Sequence, residues 1–189
     1  MSQRHFLLLA AVSLPAAPSA HAQNLAGVPW SVRPSVVVDA VPGDARVPLV
    51  HAAVAYWNQT FAGIGSGFRL GPVSMGGGAG SGKIQVVLSD REFISNARRF
   101  ADGQAAVVMI RNTDGRPMSL PNVARNVIAH ELGHAIGLGH NSDPTLLMCG
   151  RPAPCRPALF ASSRAHYFPL SAEEKAKLFG MYPADWKSR

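Results

Sequence analysis

The sequence lacks any apolar stretch beyond its first residues that is long enough to cross a membrane. The one early apolar region, Phe6 to Leu14, has nine residues, whereas a membrane-spanning helix needs about 20. The chain also lacks an internal repeat, and no change of composition marks a second domain. We therefore expect no membrane anchor and one ordinary domain with enough chain to build a core.

Acidic residues are scarce, since 11 Asp and Glu stand against 18 Lys and Arg and the net charge is +7. The basic residues are scattered apart from the pair Arg98 and Arg99, so the sequence does not indicate a nucleic-acid groove. A basic protein is drawn to acidic surfaces or substrates. The charge therefore bears on how partners approach and says little about the chemistry.

The segment from Met1 to Ala22 has the pattern of a secretory signal peptide. Arg4 supplies the positive first part, Phe6 to Leu14 the apolar part, and Ala20-His21-Ala22 the small-residue cleavage site. The alternative is that the apolar run is a buried helix of the domain. If the segment is a signal, the mature domain is 23–189 with a net charge of +6, and the protein is secreted or periplasmic.

Hydrophobic periodicity predicts the main elements. β-Branched residues predict a strand within Trp30 to Ala40, and strands are also expected at Lys83 to Leu88 and Ala105 to Ile110. A second strand in chain order is expected to begin at Phe68 to Leu70. The segment Val47 to Phe61 predicts an amphipathic helix. Its single apolar stripe consists of Val50, Ala53, Val54, Trp57 and Phe61.

The segment Met75 to Gly82 predicts a flexible loop. Together with Lys83 it matches the beginning of a phosphate-binding loop, but Ile84 occupies the Ser/Thr position and a strand follows where a helix is needed. Nucleotide binding is therefore rejected. We interpret His51 as a surface residue, since no second ligand lies three or four positions away.

A second helix is expected to begin near Ser119 or Asn122 and to continue past residue 130. Asn112 to Gly115 predicts a turn, and Ser119 or Asn122 is the expected cap of the helix. Its inward-facing residues are expected to be Val123, Val127, Ile128, Ala135 and Ile136.

This helix carries two histidines at metal-ligand spacing. His130 and His134 are four apart, so their imidazoles leave one face of the helix a turn apart. Glu131 follows the first histidine and can reach a water on the metal without ligating it, as a general base requires. The pattern predicts half of a metal site with its base.

Gly137 and His140 extend the pattern from five residues to eleven, HELGHAIGLGH. A glycine enters the left-handed conformation freely and turns the chain sharply, which lets His140 come round as a third ligand. Three imidazoles around zinc leave a fourth position for water, as in catalytic sites. The alternative is an ordinary amphipathic helix with buried histidines, although three of the 7 histidines fall within these eleven residues.

The segment HELGHAIGLGHNSDPTLLM resembles the zinc site of the metzincin metallopeptidases, and most closely that of the matrixins. The segment Pro169 to Pro183 is similar to the short helix and Tyr-Pro that close matrixin catalytic domains. Together the two segments cover about a fifth of the mature chain. The resemblance implies that Met148 forms an apolar floor beneath the metal, that Glu131 is the base, and that zinc is bound by His130, His134 and His140.

The resemblance also implies a fold and an activity. The fold would be α+β and zincin-like: a twisted mixed sheet with two long helices above the cleft, and a small C-terminal part with the Met-turn and a final helix. The protein would be a secreted zinc endopeptidase that uses zinc-activated water. A protein or peptide substrate would lie along an exposed sheet edge, and we expect a monomer.

The chain departs from the matrixin pattern between Ser89 and Gln104, where that family carries a structural zinc and calcium loop. No histidine is present there, and Asp90, Glu92 and Asp102 are expected to be solvated charges. One catalytic zinc ion is therefore expected and a structural zinc is not, while the sequence does not decide whether Ca²⁺ is bound. No cysteine precedes the site, so the family's propeptide cysteine is absent as well.

A second departure follows Met148, where matrixins have a Tyr-Pro type of wall. Cys149 and Cys155 are the only cysteines, and the Pro and Gly between them favour a reversal, so we expect a disulfide in an oxidising compartment. The alternative makes Cys149 a fourth zinc ligand, which would close the site. Ser171 and Glu174 predict a capping box.

Glu173 and Glu174 stand where matrixins have paired aspartates, one of which holds the N-terminal ammonium. Tyr167 is open to two interpretations, oxyanion stabilisation or packing. Two other functions are carried forward: a catalytically idle binding module with the zinc fold, and a zinc amidase or endopeptidase that acts on cell-wall peptides.

Overall fold

The computed structural model describes residues 26–91, 94–100, 102–111, 119–150 and 164–189. The predicted signal segment and the turn at residues 112–115 lie outside these ranges. Among the described residues, no helix has both the length and the apolar character needed to cross a membrane. In chain order the elements are β1 (Ser35–Asp39), α1 (Val47–Gly63), β2 (Val73–Met75), β3 (Lys83–Leu88), β4 (Asn96–Arg99), β5 (Ala105–Ile110), α2 (Pro121–Ala135) and α3 (Ala172–Met181).

The five strands form one mixed sheet in the order β2-β1-β3-β5-β4. Strands β1, β2, β3 and β5 run parallel, and β4 is antiparallel to β5. The register places Ile84 of β3 beside Val36 of β1 and Ala106 of β5. β4 therefore forms one edge of the sheet, next to the strand that leads towards α2. The fold is mixed α and β, as predicted.

One face of the sheet packs against α1 and α2. The predicted apolar stripe of α1 is confirmed, since all five of its residues are buried. Trp57 of this stripe is fully buried, and its indole Nε1 donates to the carbonyl of Ala129 in α2 at 2.9 Å. Residues at alternate positions of the three central strands complete the same core: Val36, Val38, Ile84, Val86, Ala106 and Val108. The core thus fixes α2 against the sheet.

Several predicted boundaries agree with the structure and others do not. β3 and β5 occupy the predicted residues, and the first strand is the shorter Ser35–Asp39 within the predicted range. The strand expected from Phe68 is wrong, because the backbone N–H and C=O of Leu70 both bond to the side chain of Asn58 and do not join a ladder. The second strand begins instead at Val73.

The acidic residues between β3 and β5 that the structure describes are exposed, as predicted for solvated charges. Asp102 is exposed, and Glu92 lies outside the described residues. Asp90 has a partner, since its carboxylate lies 2.9 Å from the guanidinium of Arg46. Its side chain is nevertheless 65% exposed, so the prediction of a solvated charge is confirmed, and only the pairing with Arg46, 44 positions earlier in the chain, was not predicted. His51 is exposed, as expected.

Candidate metal centre

Helix α2 carries the two histidines and begins differently from the prediction. Its N-cap is Leu120, which has extended backbone angles and makes no side-chain capping bond. Pro121 follows at the first helical position, where its missing N–H costs nothing. The cap predicted at Ser119 or Asn122 was therefore wrong. The side chain of Asn122 instead bonds to the backbone of residues 164 and 166.

The imidazoles of His130 and His134 face each other at the other end of α2, with their Nε2 atoms 3.0 Å apart. The Nδ1 of His130 lies 2.8 Å from the carbonyl oxygen of Leu147, and the Nδ1 of His134 lies 2.9 Å from that of Leu138. A carbonyl only accepts, so each Nδ1 carries the proton. Each Nε2 is therefore left with a free lone pair, as metal ligation requires.

The third histidine is brought in by the turn that ends α2. Gly137 has φ +105°, the left-handed conformation expected for it. The N–H of Leu138 bonds to the carbonyl of Gly133 and that of Gly137 to the carbonyl of His134, which is the Schellman arrangement. The reversal places Nε2 of His140 3.0 Å from Nε2 of His134.

The three ligand atoms fit a single cation. All of them lie within 4.8 Å of one another. Burial lowers the pKa of His130 to about 4, and it also lowers the pKa of His134 and of His140. In neutral imidazoles that are protonated at Nδ1, the Nε2 atoms are acceptors only, so they cannot hydrogen-bond to one another. A cation with a preference for nitrogen ligands, such as zinc, suits this donor set.

Glu131 lies beside the cluster and is only 8% exposed. Burial raises the pKa of its carboxyl group to about 8, because the charged form loses water. A neighbouring cation favours the ionised form and would bring that pKa down. A carboxyl group with such a pKa is suited to take up and release a proton near neutral pH.

Met148 is fully buried against α2. A Cβ added to Gly133 would lie 2.5 Å from the Met148 sulfur and 3.0 Å from the ring of Trp57. Only glycine therefore lets the methionine approach the helix between the two histidines. The placement beside the ligand helix agrees with a floor beneath the metal, which stays a prediction.

The loop after His140 is fixed by α3. The Nδ2 of Asn141 donates to a carboxylate oxygen of Glu174 at 2.6 Å. The other oxygen of Glu174 accepts from the N–H of Ser171 at 2.8 Å, and the Ser171 hydroxyl accepts from the N–H of Glu174 at 3.0 Å. The predicted capping box is confirmed. Both carboxylate oxygens of Glu174 are thus hydrogen-bonded, one to Asn141 and one to Ser171, and Glu173 is exposed.

The structure also describes Cys149 and Tyr167, two residues for which the sequence predicted a role. Cys149 is buried and does not carry a free thiol. Cys155 lies outside the described residues, so the bond between the two stays a prediction. The ring of Tyr167 stacks on that of Tyr56 at 4.3 Å between centroids and lies under the guanidinium of Arg125 at 5.4 Å. These contacts favour packing over oxyanion stabilisation.

The end of α2 has supports that the sequence analysis missed. Three successive carbonyls accept hydrogen bonds from distant segments: Ala135 from Trp30 Nε1 at 2.8 Å, Ile136 from the Tyr182 hydroxyl at 2.9 Å, and Gly137 from the N–H of Gly27 at 2.8 Å. Helix ends leave such carbonyls without partners, and these bonds satisfy them. No local sequence pattern announces them, because the donors lie far along the chain.

Comparison of the chain with family models and with curated proteins found no match.

Proposed function

We propose that the chain is a secreted zinc-dependent endopeptidase of the metzincin class, most similar to the matrixins. The observation that carries the proposal is the convergence of three imidazoles beside a buried carboxyl group, with Nε2 of His134 3.0 Å from Nε2 of both His130 and His140. A structural zinc site is usually closed by four protein ligands. Among the described residues, the cluster of possible ligands holds only the three histidines, which is the pattern of a catalytic site.

His130, His134 and His140 would hold the zinc ion. When bound, zinc supplies Lewis-acid chemistry, since it acidifies water and polarises a carbonyl group. A carboxylate oxygen of Glu131 accepts the proton of the attacking water and later returns it to the leaving amine. The backbone carbonyls of Leu147 and Leu138 keep two of the imidazoles in the tautomer that ligates.

The proposed place for the substrate is the edge of the sheet formed by β4. This strand pairs with β5 on one side, and no described strand covers its other side. An extended peptide can add to such an edge through backbone hydrogen bonds. Arg98 is exposed on this strand, whereas Arg99 is buried and bonds to the backbone of Val28 and Gly103.

Purified mature protein offers a direct test of the proposal. We expect one equivalent of zinc per chain and hydrolysis of casein that is lost with a chelator and restored by zinc. The Glu131→Gln variant should bind the same amount of zinc without hydrolysis. Zinc binding with no hydrolysis of casein or of purified cell wall would favour the idle binding module. Hydrolysis of cell wall alone would favour the amidase, and no zinc binding would contradict the metal centre itself.

A further inference from the structure

Two buried asparagines on α2 make an arrangement that the proposed mechanism does not use. Asn122 is 2% exposed and Asn126 is 4% exposed. Amide side chains are costly to bury unless they are hydrogen-bonded. In a helix that packs through aliphatic residues, two such amides four positions apart need a reason beyond packing.

Both amides bond to the backbone of residues 164–168. Asn122 donates to the carbonyl of Arg164 at 2.8 Å and accepts from the N–H of His166 at 3.1 Å. Asn126 donates to the carbonyl of His166 at 2.8 Å and accepts from the N–H of Phe168 at 2.8 Å. The partners fall at every second residue, as they do in a β-ladder. We call residues 164–168 the clamped segment.

The clamped segment leads directly to the support of a metal ligand. The next residue, Pro169, accepts a hydrogen bond at its carbonyl from the N–H of Leu147 at 2.9 Å. The carbonyl of Leu147 in turn accepts from Nδ1 of His130 at 2.8 Å. Asn126 sits on the same helix as His130, one turn earlier. Hydrogen bonds therefore connect Asn126 to His130, on the same helix, through the clamped segment and Leu147.

We propose that Asn126, supported by Asn122, is a positioning residue that sets the ring orientation of His130 through the clamped segment and Leu147. The proposal depends on the proposed function only in assigning His130 to the metal. An apolar residue at position 126 could fill the space but would remove the donor to the carbonyl of His166 and the acceptor for the N–H of Phe168. Leu147 would then lose its fixed neighbour at Pro169.

The chain contains a matched control in Asn58 on α1. This residue makes the same paired contact with a backbone, donating to the carbonyl of Leu70 at 3.3 Å and accepting from its N–H at 2.8 Å. Within the described part of the chain, the backbone groups of Leu70 bond to Asn58 and not to the supports of the histidines. Replacing either asparagine by aspartate keeps an acceptor of the same shape and removes the donor. Asn58 is partly buried and Asn126 is buried, so Asn58→Asp controls for the loss of an amide donor to a backbone carbonyl, and the unfolding free energy of each variant is measured beside it.

The experiment compares Asn126→Asp with Asn58→Asp in two measurements. In metal-free protein, the Nδ1 proton of His130 is followed by NMR, and its exchange with water should become faster in Asn126→Asp alone. In titrations of zinc against a competing chelator, Asn126→Asp should raise the Kd by about tenfold, the lower end of the effect of losing a ligand support. Asn58→Asp should change neither value.

Equal effects of the two variants, or unchanged exchange and Kd in a folded Asn126→Asp, would overturn the proposal. If Asn126→Asp does not fold, Asn122→Asp replaces it, with a smaller shift expected in the same direction. If wild-type protein binds no zinc, the proposed function fails, and the exchange of the His130 proton still decides the positioning role.

Discussion

Two partly buried polar clusters of this fold differ in how their hydrogen bonds are completed. In the arginine cluster, the guanidinium of Arg46 is 6% exposed. All of its nitrogens have partners, which are the carboxylates of Asp44 and Asp90 and the carbonyls of Ser89 and Arg111. The pairing lowers the pKa of Asp44 and raises that of Arg46. This cluster is complete as it stands.

In the histidine cluster, the Nδ1 atoms of His130 and His134 have hydrogen-bond partners, but the Nε2 atoms that face each other have no donor between them. His130 and His134 each donate from Nδ1 to a carbonyl, while their Nε2 lone pairs point at each other. The arginine cluster brings its own cation, and the histidine cluster is arranged for one from outside. A buried polar group that is fully satisfied within the chain indicates a structural role, whereas convergent lone pairs indicate a ligand.

The largest expected effect is on catalysis. Glu131→Gln should lower turnover by about 10²- to 10⁴-fold, the usual contribution of a general base, because it removes the proton acceptor. The zinc content should stay at the wild-type value, since no ligand is changed. Steady-state kinetics beside metal analysis would check this, and undiminished turnover would contradict the role of Glu131.

The next prediction changes the arginine cluster and compares the effect on stability with the effect on zinc binding. Arg46→Met should lower the free energy of unfolding by about 3 kcal/mol, because it leaves the buried carboxylate of Asp44 without its partner. The zinc Kd should remain within about threefold of wild type. Urea unfolding measures the loss, with the exposed Arg33→Met as the control, which should stay within about 0.5 kcal/mol. A large change in zinc affinity would show that the clusters are coupled.

Removing one histidine tests whether the histidine cluster stabilises the fold through a bound metal. In wild-type protein, zinc at 100 times its Kd should stabilise the fold by about 2.7 kcal/mol by mass action. His140→Ala should lose most of this gain, because metal binding is coupled to folding through the ligands. Unfolding curves with zinc and with chelator give the difference. An unchanged zinc effect would mean that His140 is not a ligand.

The smallest effect concerns the packing beneath the histidines. Gly133→Ala should cost about 1–3 kcal/mol, because the new methyl group would overlap the sulfur of Met148. Gly180→Ala in α3 is the matched control, since a Cβ there meets no atom within 4 Å. That change should be neutral or stabilise by up to about 1 kcal/mol. Equal effects at the two glycines would argue against close contact between Met148 and α2.

Features that depend on local pattern could be read from the sequence. The buried stripe of α1, the limits of β3 and β5, and the capping box at Ser171 all follow from residues a few positions apart. The arrangement of the histidines is of the same kind, because the helical period and one glycine with positive φ bring all three together.

Features that depend on distant partners could not be read in this way. The edge strand β4 has no alternating pattern, and it pairs with β5 through backbone groups that any sequence supplies. The partner of Asp90 is an arginine on another element. Asn122 has the composition of a helix cap but bonds to residues more than 40 positions later. In each case the sequence shows one half of a contact whose other half is set by the fold.

The hydrogen bonds at the end of α2 also bear on the order in which the molecule assembles. Trp30 and Ala135 are 105 positions apart, and Tyr182 and Ile136 are 46 apart. Such long loops close late, because their entropy is lost before the contact forms. We expect pulse-labelled hydrogen exchange during refolding to protect the amides of α1 before those of residues 136–140, and simultaneous protection would contradict this order. A chain still emerging from its ribosome would already contain the donors Trp30 and Gly27, but the support that Tyr182 gives to Ile136 could form only after residue 182 had been made.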